Sequence, residues 1–293
     1  MRRLPDEGFI VVAVLWILGA LAALASIYAI YVTNTALSLS VNDDRLQADA
    51  LVTAGLELTA YRLSTQDVDA RPTQGAFRFR MGRADVAVDF RSEAARIDLN
   101  LAPKELLAGL FAALGARYDA AESYADRIIG WRQKADVAGE NNEAAAYRTA
   151  GLSYGPRQGP FPDVGELWLV LGLPPALVER ALPFVTVFSG RADVDVLDAA
   201  PEVVAALPGM TPDRLYGILG QRGPGAANAQ IVQGLLGSAQ GASTQGGKAM
   251  RVTVRIAFDD GRRVRAETVI LPLDDADEPF RVLLWHDDFD GPA

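Results

Sequence analysis

The sequence predicts an α+β protein: a long N-terminal helix packed on an antiparallel sheet, with a large α-helical domain inserted into that sheet. Three observations predict it. An apolar run opens the chain, and no charged residue stands between Glu7 and Asp43. Apolar and polar residues alternate over residues 76–90 and again from Met250, the period of a half-buried strand. Between those stretches the chain takes helical spacing, helix starts and Pro/Gly breaks.

The opening run comes first. As a helix, Phe9 to Val32 rises about 36 Å at ~1.5 Å per residue. That exceeds the roughly 30 Å hydrocarbon core of a bilayer, so the segment can span a membrane with some tilt. Arg2 and Arg3 precede it, so the positive-inside bias keeps the leader in the cytoplasm and delivers everything after Asp43 to the far side. A cleaved signal peptide is one reading, with Ala23-Leu24-Ala25 as the cut, but the apolar run continues well past it. An uncleaved anchor is a second. A third uses the order of residues around Gly8 and is taken up below.

The helix is expected to continue to residue 66. Val41 to Ser64 holds no proline, and its lone glycine, Gly55, costs about 1 kcal/mol. Leu46, Ala50, Thr53, Leu56, Ala60 and Leu63 follow three- and four-residue steps, with Asp43, Asp44, Arg45 and Asp49 off the stripe. The membrane half is apolar all round and the second half amphipathic, suited to packing on a globular head. A break near Thr33-Asn34-Thr35 is the alternative.

Asp67 to Gly75 reads as a loop. Phe77 and Phe79 alternate with arginines up to a Met81-Gly82-Arg83 turn, and Val86, Val88 and Phe90 return from it. Near the C-terminus, Met250, Val252, Val254, Ile256 and Phe258 face one way, Asp260-Gly261 is a hairpin turn, and Arg263–Leu271 pairs back. Phe280–Trp285 is a last strand. Between these, Asn100 is expected to cap a helix from Lys104 to Leu114, with Pro103 in its first turn. Asp198, Ala200 and Pro201 repeat Asn100, Ala102 and Pro103. Residues 120–134 form a helix with Tyr124, Ile128 and Trp131 on one face, followed by a polar loop over 135–159. Asp163-Val164-Gly165-Glu166 reads as a capping box, with Glu166 reaching back to the cap. Short helices follow at 167–171, 176–182 and 231–236. The boundaries are thus a leader (1–8), a transmembrane part (9–32), the rest of the helix (33–66), a discontinuous sheet domain (67–99 with 246–293) and an inserted helical domain (100–245).

Composition narrows the function. A net charge of −9 argues against a nucleic-acid backbone as partner. There is no cysteine, which excludes disulfide frameworks, thiolate metal sites and thiol catalysis. The only histidine, His286, nearly closes off a Ser-His-Asp triad and a two-histidine metal motif. An enzyme is not expected. A hydrolase built on Asp98 with Glu105 is a remote alternative, since nothing places that pair in a cleft.

Gly8 directly before Phe9, followed by an unbroken apolar helix start, resembles the processing site of type IV pilins and type II secretion pseudopilins. In that family a prepilin peptidase cuts after the glycine and methylates the new N-terminus. Asp6 and Glu7 depart from the basic or neutral residues usual beside that cut. Most pilins carry a glutamate at the fifth residue after the cut; here that residue is Ala13. Its loss resembles minor pseudopilin K, the subunit at the filament tip. Further stretches resemble the general secretion pathway protein K family, in order and spacing, over nearly the whole chain. They are Val14-Leu15-Trp16, Ile97 to Pro103, Phe161 to Leu167, Leu182 to Val187 and the final strand ending in Trp285.

The resemblance implies a pilin-like fold whose sheet is interrupted by a helical domain, anchored in the inner membrane by Phe9–Val32, Trp16 included, with a periplasmic head. It implies a tip complex with minor pseudopilins I and J that initiates and caps the pseudopilus, with no catalytic chemistry. Family members also bind calcium through acidic loops. The candidates here are Asp136, Glu140 and Glu143, beside Asn141 and Asn142, but Arg132-Gln133-Lys134 stands where the family has aspartates, so a solvated loop competes with that site. Asp274, Asp275 and Asp277 are a second acidic cluster. Leu207-Pro208-Gly209-Met210-Thr211-Pro212 resembles a helix-hairpin-helix turn, so a membrane-anchored DNA-binding protein is the alternative function. Asp193, Asp195, Asp198, Glu202 and Asp213 outnumber the nearby Arg191, Arg214 and Arg222, against it.

Overall fold

A computed structural model describes residues 7–66, 71–134, 143–223, 226–237, 239–273 and 278–289. By internal contact the chain divides into a unit ending at Thr53 and a second beginning at Ala54. The first is helical: α1 (Glu7–Ser64) starts in it and runs unbroken through Thr33-Asn34-Thr35, and its last turns belong to the second unit. On this helix Leu56, Ala60 and Leu63 are buried as their spacing predicts. Leu46, Ala50 and Thr53 are exposed, and Ala48, Leu51 and Val52 are buried in their place. The cause is helical drift: a straight helix turns 3.6 residues per turn, so a stripe traced back by sevens slides off the buried face by about 20° per heptad.

In the second unit β1 (Gln74–Met81), β2 (Ala84–Ser92), β7 (Met250–Phe258), β8 (Arg263–Pro272) and β9 (Phe280–Phe289) lie side by side in that order as one antiparallel sheet. β1 and β2 form the predicted hairpin, with Phe77 opposite Val88 and Phe79 opposite Val86. β7 and β8 form the second, turned at Gly261 with φ 92°. β9 runs on past Trp285 and pairs with β8 through a bulge between Val269 and Ile270. Val86, Val88, Phe90, Val252, Val254 and Ile256 form the buried face of the sheet. The last turns of α1 lie against it: a Cβ on Gly55 would stand 3.2 Å from a Val88 methyl and 3.3 Å from a Val254 methyl. At this position the absence of a side chain sets how closely helix and sheet approach.

β2 and β7 are neighbours in the sheet although residues 93–249 separate them. Ser92 pairs with Met250, and the Glu93 N–H donates to the Ala249 carbonyl at 2.9 Å. The chain therefore leaves the sheet and returns to it at one place. What lies between is mainly helical and has its own core, including Phe111, Trp131, Tyr147, Leu107 and Leu167.

That helical part is built twice on one plan. β3 (Ile97–Asp98) pairs in parallel with β4 (Val185–Thr186), enclosing α2 (Lys104–Ala113), α3 (Tyr118–Arg132), α4 (Glu143–Thr149) and α5 (Pro175–Ala181). β5 (Val194–Asp195) pairs in parallel with β6 (Ala242–Ser243), enclosing α6 (Pro201–Ala205), α7 (Pro212–Gly220) and α8 (Ala226–Leu236). Each copy opens on an aspartate. Asp98 accepts from the Asn100 N–H at 2.8 Å, and Asp195 accepts from the Leu197 N–H at 3.0 Å. Their carbonyls accept from Ala102 and Ala199, at 2.8 and 2.9 Å.

The repeat therefore aligns Asp98 with Asp195, not Asn100 with Asp198. Asn100 does not cap α2, whose N-cap is Pro103 without a side-chain bond. Its amide instead bridges to the Phe161 backbone, accepting from N–H at 2.7 Å and donating to the carbonyl at 3.0 Å. The two copies touch where α2 meets α6. A Cβ on Gly109 would lie 2.0 Å from the Ala206 carbonyl oxygen, so only glycine permits that approach.

Candidate membrane anchor and head network

The N-terminal unit presents one candidate membrane span, Val11–Val32, with a mean hydropathy of 2.4 and none of it buried. Trp16 is 77% exposed. An apolar helix with no protein cover has lipid as its natural solvent, since its backbone bonds are satisfied internally. Gly8 and Phe9 lie in the helical run of α1, one turn before the span. Ala13 sits within it, partly covered.

The head is held together by a buried ionic cluster where sheet passes into helices. Glu93, in the 3-10 turn after β2, is 1% exposed. Ser92 caps that turn by accepting from Ala94, and it also accepts from Gly247 at 2.9 Å, tying both crossing segments together. The Glu93 carboxylate accepts from Arg251 of β7 at 2.7 and 3.1 Å and from the Thr186 hydroxyl of β4. Arg251 donates onward to Glu267 of β8. Burial pushes the Arg251 guanidinium down, but its bonds to Glu93 and the charge of Glu267 outweigh it and its pKa is raised. Burial likewise pushes Glu267 up, and Arg251 wins to hold it below the usual carboxylate range. Nearby Arg96, 4.0 Å from Glu93, is lowered because burial and Arg251 outweigh the attraction of Glu93. One acid thus joins β2, β7 and β4.

Two further clusters mark the starts of the helical copies. Asp98 accepts from the Ser189 hydroxyl and Gly190 N–H, both at 3.0 Å, while Arg132 donates to the carbonyls of Leu99 and Ala102. Burial lowers the Arg132 pKa, against the pull of Asp98. In the second copy Asp195 is fully buried, and burial raises its pKa to about 6. Asp198 accepts from Gln74 of β1 at 2.7 Å, linking this copy to the sheet. Asp163 caps its 3-10 turn (Val164–Leu169) by accepting from Gly165 at 2.6 Å, but Glu166 does not reach back. It accepts instead from the Trp131 indole at 3.1 Å and from Arg157 at 2.7 Å. The turn is too tight to bring the Glu166 side chain over the cap, and the indole N–H, buried at its ring, needs an acceptor.

Of the calcium candidates, Asp136 and Glu140 lie outside the described residues, as do Asp274, Asp275 and Asp277. Glu143 opens α4, and both its oxygens accept from Arg127, at 3.0 and 3.1 Å. A guanidinium held that way competes with a cation, and among the described residues no group of three or more acidic or histidine side chains is placed to hold a metal ion. The residues described do not by themselves make a calcium cage. At the helix-hairpin-helix-like turn, Gly209 takes φ 70°, and Arg214 donates inward to the carbonyls of Gly209, Leu235 and Leu236. That arginine closes α7 onto α8 and is turned to the fold. Asp98 and Glu105 are not brought into a catalytic pair; Asp98 is buried among backbone donors.

Sequence reasoning missed Glu93, Arg251, Arg132 and Asp195. The available signal was a charged residue flanked by apolar ones: Ile97-Asp98-Leu99, Val194-Asp195-Val196, and Glu93 before Ala94-Ala95.

In fold, a chain of the crystal structure of the GspK-GspI-GspJ complex from the enterotoxigenic Escherichia coli type 2 secretion system is similar. The TM-score is 0.65 at 16% identity, over 84% of this chain and 98% of that one. The class is therefore a mixed helix-and-sheet head with an antiparallel sheet, in a chain that also carries an apolar N-terminal helix. Residues 91–190 match the family model described as type II secretion system (T2SS), protein K. Residues 91–190 thus carry a domain of the type II secretion system protein K family, set in a fold shared with a chain of that complex. No curated protein matches it.

Proposed function

We propose that this chain is the minor pseudopilin at the tip of the type II secretion pseudopilus, where it initiates and caps assembly with minor pseudopilins I and J. The observation that carries the tip position is Ala13. A subunit inside the filament can pair a glutamate there with the N-terminus of a neighbour. A subunit with nothing above it would leave that carboxylate unpaired in lipid, which is costly. An apolar residue avoids the cost. Partnership with I and J is supported by the complex in which the similar chain is found.

In this reading residues 1–8 are a leader removed by prepilin peptidase between Gly8 and Phe9. Residues 9–32 then span the inner membrane from a cytoplasmic N-terminus, and the head works in the periplasm. Residues 100–245 act as the inserted, bulky cap. The role is structural: the buried acids serve the fold. Gly8→Asp tests it by placing a charged side chain at the cut. Mass spectrometry of protein purified from membranes should show the wild type beginning at Phe9 and the variant retaining its leader, with secretion lost and membrane insertion kept. A wild-type N-terminus elsewhere, or normal secretion by an unprocessed variant, refutes the assignment.

A further inference from the structure

The face of the five-stranded sheet turned away from the last turns of α1 carries arginines out of keeping with a chain of net charge −9. Register places Arg78 beside Ala87, Ala87 beside Arg255, and Arg255 beside Arg265 in one row across four strands. The adjacent row runs Arg80, Asp85, Ala257, Arg263. Arg91 also stands directly opposite Arg251. Like charges directly opposite across strands destabilise a sheet. Acids within the fold offset Arg251 and Arg255, and the question is which arginines of this face they leave unmatched.

The acids on this face are already engaged. Asp89 pairs with Arg255, Asp85 and Asp259 pair with Arg80, and Glu93 and Glu267 hold Arg251. Among the described residues Arg78 and Arg263 have no ion-pair partner, and both are exposed. They wall a groove of about 620 Å³, with Arg255 and Arg265, over a floor that includes Ala87 and Ala257. Arg265 also lines an adjoining pocket of about 530 Å³ that contains Arg91 and Arg96. The two cavities meet at Arg265 and form an arginine-rich channel in which Asp85, Asp89, Glu93 and Glu267 are already paired, with aliphatic arginine stems along its sides.

We infer that this channel docks an extended acidic segment of a partner protein, its carboxylates on Arg78 and Arg263 and its small side chains over Ala87 and Ala257. Arginine's planar fork matches a carboxylate in two parallel bonds. Discrete carboxylates can fall between the resident Asp85 and Asp89, whereas a continuous phosphate backbone would lie across them. The inference goes beyond the tip-subunit reading and does not require it.

The test uses the full chain in an uncharged detergent and fluorescence anisotropy of a labelled peptide alternating glutamate and alanine. Binding should weaken as salt is raised. It should fall about tenfold or more in the double variant Arg78→Glu with Arg263→Glu, a change of the size expected when complementary charge is reversed. The milder Arg78→Gln with Arg263→Gln should fall in between, and thermal unfolding of both variants should match the wild type. A peptide of glutamine and alanine should not bind. Wild-type affinity in the charge-reversed variant, or equal binding of the glutamine peptide, overturns the proposal. Single-stranded DNA displacing the peptide at lower concentration than unlabelled peptide does would overturn it too, assigning the channel to a polyanion.

Discussion

Replacing Arg251 by Leu should be the most damaging single change in the head that leaves its hydrophobic core untouched. The substitution removes two hydrogen bonds at 2.7 and 3.1 Å from a carboxylate that is 1% exposed, and it leaves Glu267 with Arg265 at 3.8 Å. Glu93 is left with the Thr186 hydroxyl and with Arg96 at 4.0 Å, neither of which replaces a bidentate guanidinium. Breaking a buried pair by removing one partner costs about 3–5 kcal/mol, chiefly because the remaining charge is uncompensated. For a head of this size that is a fall in Tm on the order of 6–20 °C, at about 2–4 °C per kcal/mol. Glu93→Leu should cost less, because Arg251 is only partly buried and keeps Glu267. The double variant Glu93→Leu with Arg251→Leu should be more stable than the sum of the two single changes predicts, since it leaves no unpaired charge between β2 and β7. Circular dichroism melts of the four proteins in detergent measure this cycle. Additive effects, or a loss below about 1 kcal/mol for Arg251→Leu, would refute the view that Glu93 depends on this partner.

Gly109→Ala should destabilise the helical part by about 3 kcal/mol or more, because its methyl cannot share space with the Ala206 carbonyl, a backbone atom that cannot swing aside. Hydrogen exchange should show increased opening in both α2 and α6, whereas loss confined to α2 would mean the contact is dispensable. Asp195→Asn addresses pH. The folded-state pKa, raised to about 6 by burial, lies above the unfolded value near 3.9, so the folded state holds the proton more tightly. That contribution is fully present below about pH 4 and is lost as pH rises through about 6. The amide keeps an oxygen for the Leu197 N–H, so the variant should flatten stability between those limits and gain up to about 3 kcal/mol at neutral pH. Urea midpoints at acidic and neutral pH check it, and an unchanged slope would show that Asp195 stays ionised.

Much of the fold was legible because its signals are local. Phe77 and Phe79 alternate with arginines, Val252 and Val254 with Thr253 and Arg255, and each alternation became a strand of the sheet. The long helix and the Asp260-Gly261 turn were equally direct. What was not legible depends on distance. Glu93 and Arg251 meet across 158 positions of chain, and no spacing rule connects them. Asn100 carries the side chain of a cap, yet the Phe161 backbone, 61 positions on, offers it two bonds that a cap position would not. Glu166 matched a local motif and was claimed by an indole and an arginine instead. The amphipathic stripe failed for a different reason, an accumulated phase error along one helix. The apolar-flanked aspartates at 98 and 195 were readable as a pair, but the more conspicuous Ala-Pro steps after them set the repeat one position out of frame.

The meeting of Ser92 with Met250 bears on how such heads vary. Because residues 93–249 begin and end side by side, a two-residue reverse turn could bridge the gap without shifting either strand. Sheet and helices can therefore change size separately, as an extension fitted to an existing seam. The seam itself is where variation should be least tolerated, since the Glu93 carboxylate fastens both sides of it.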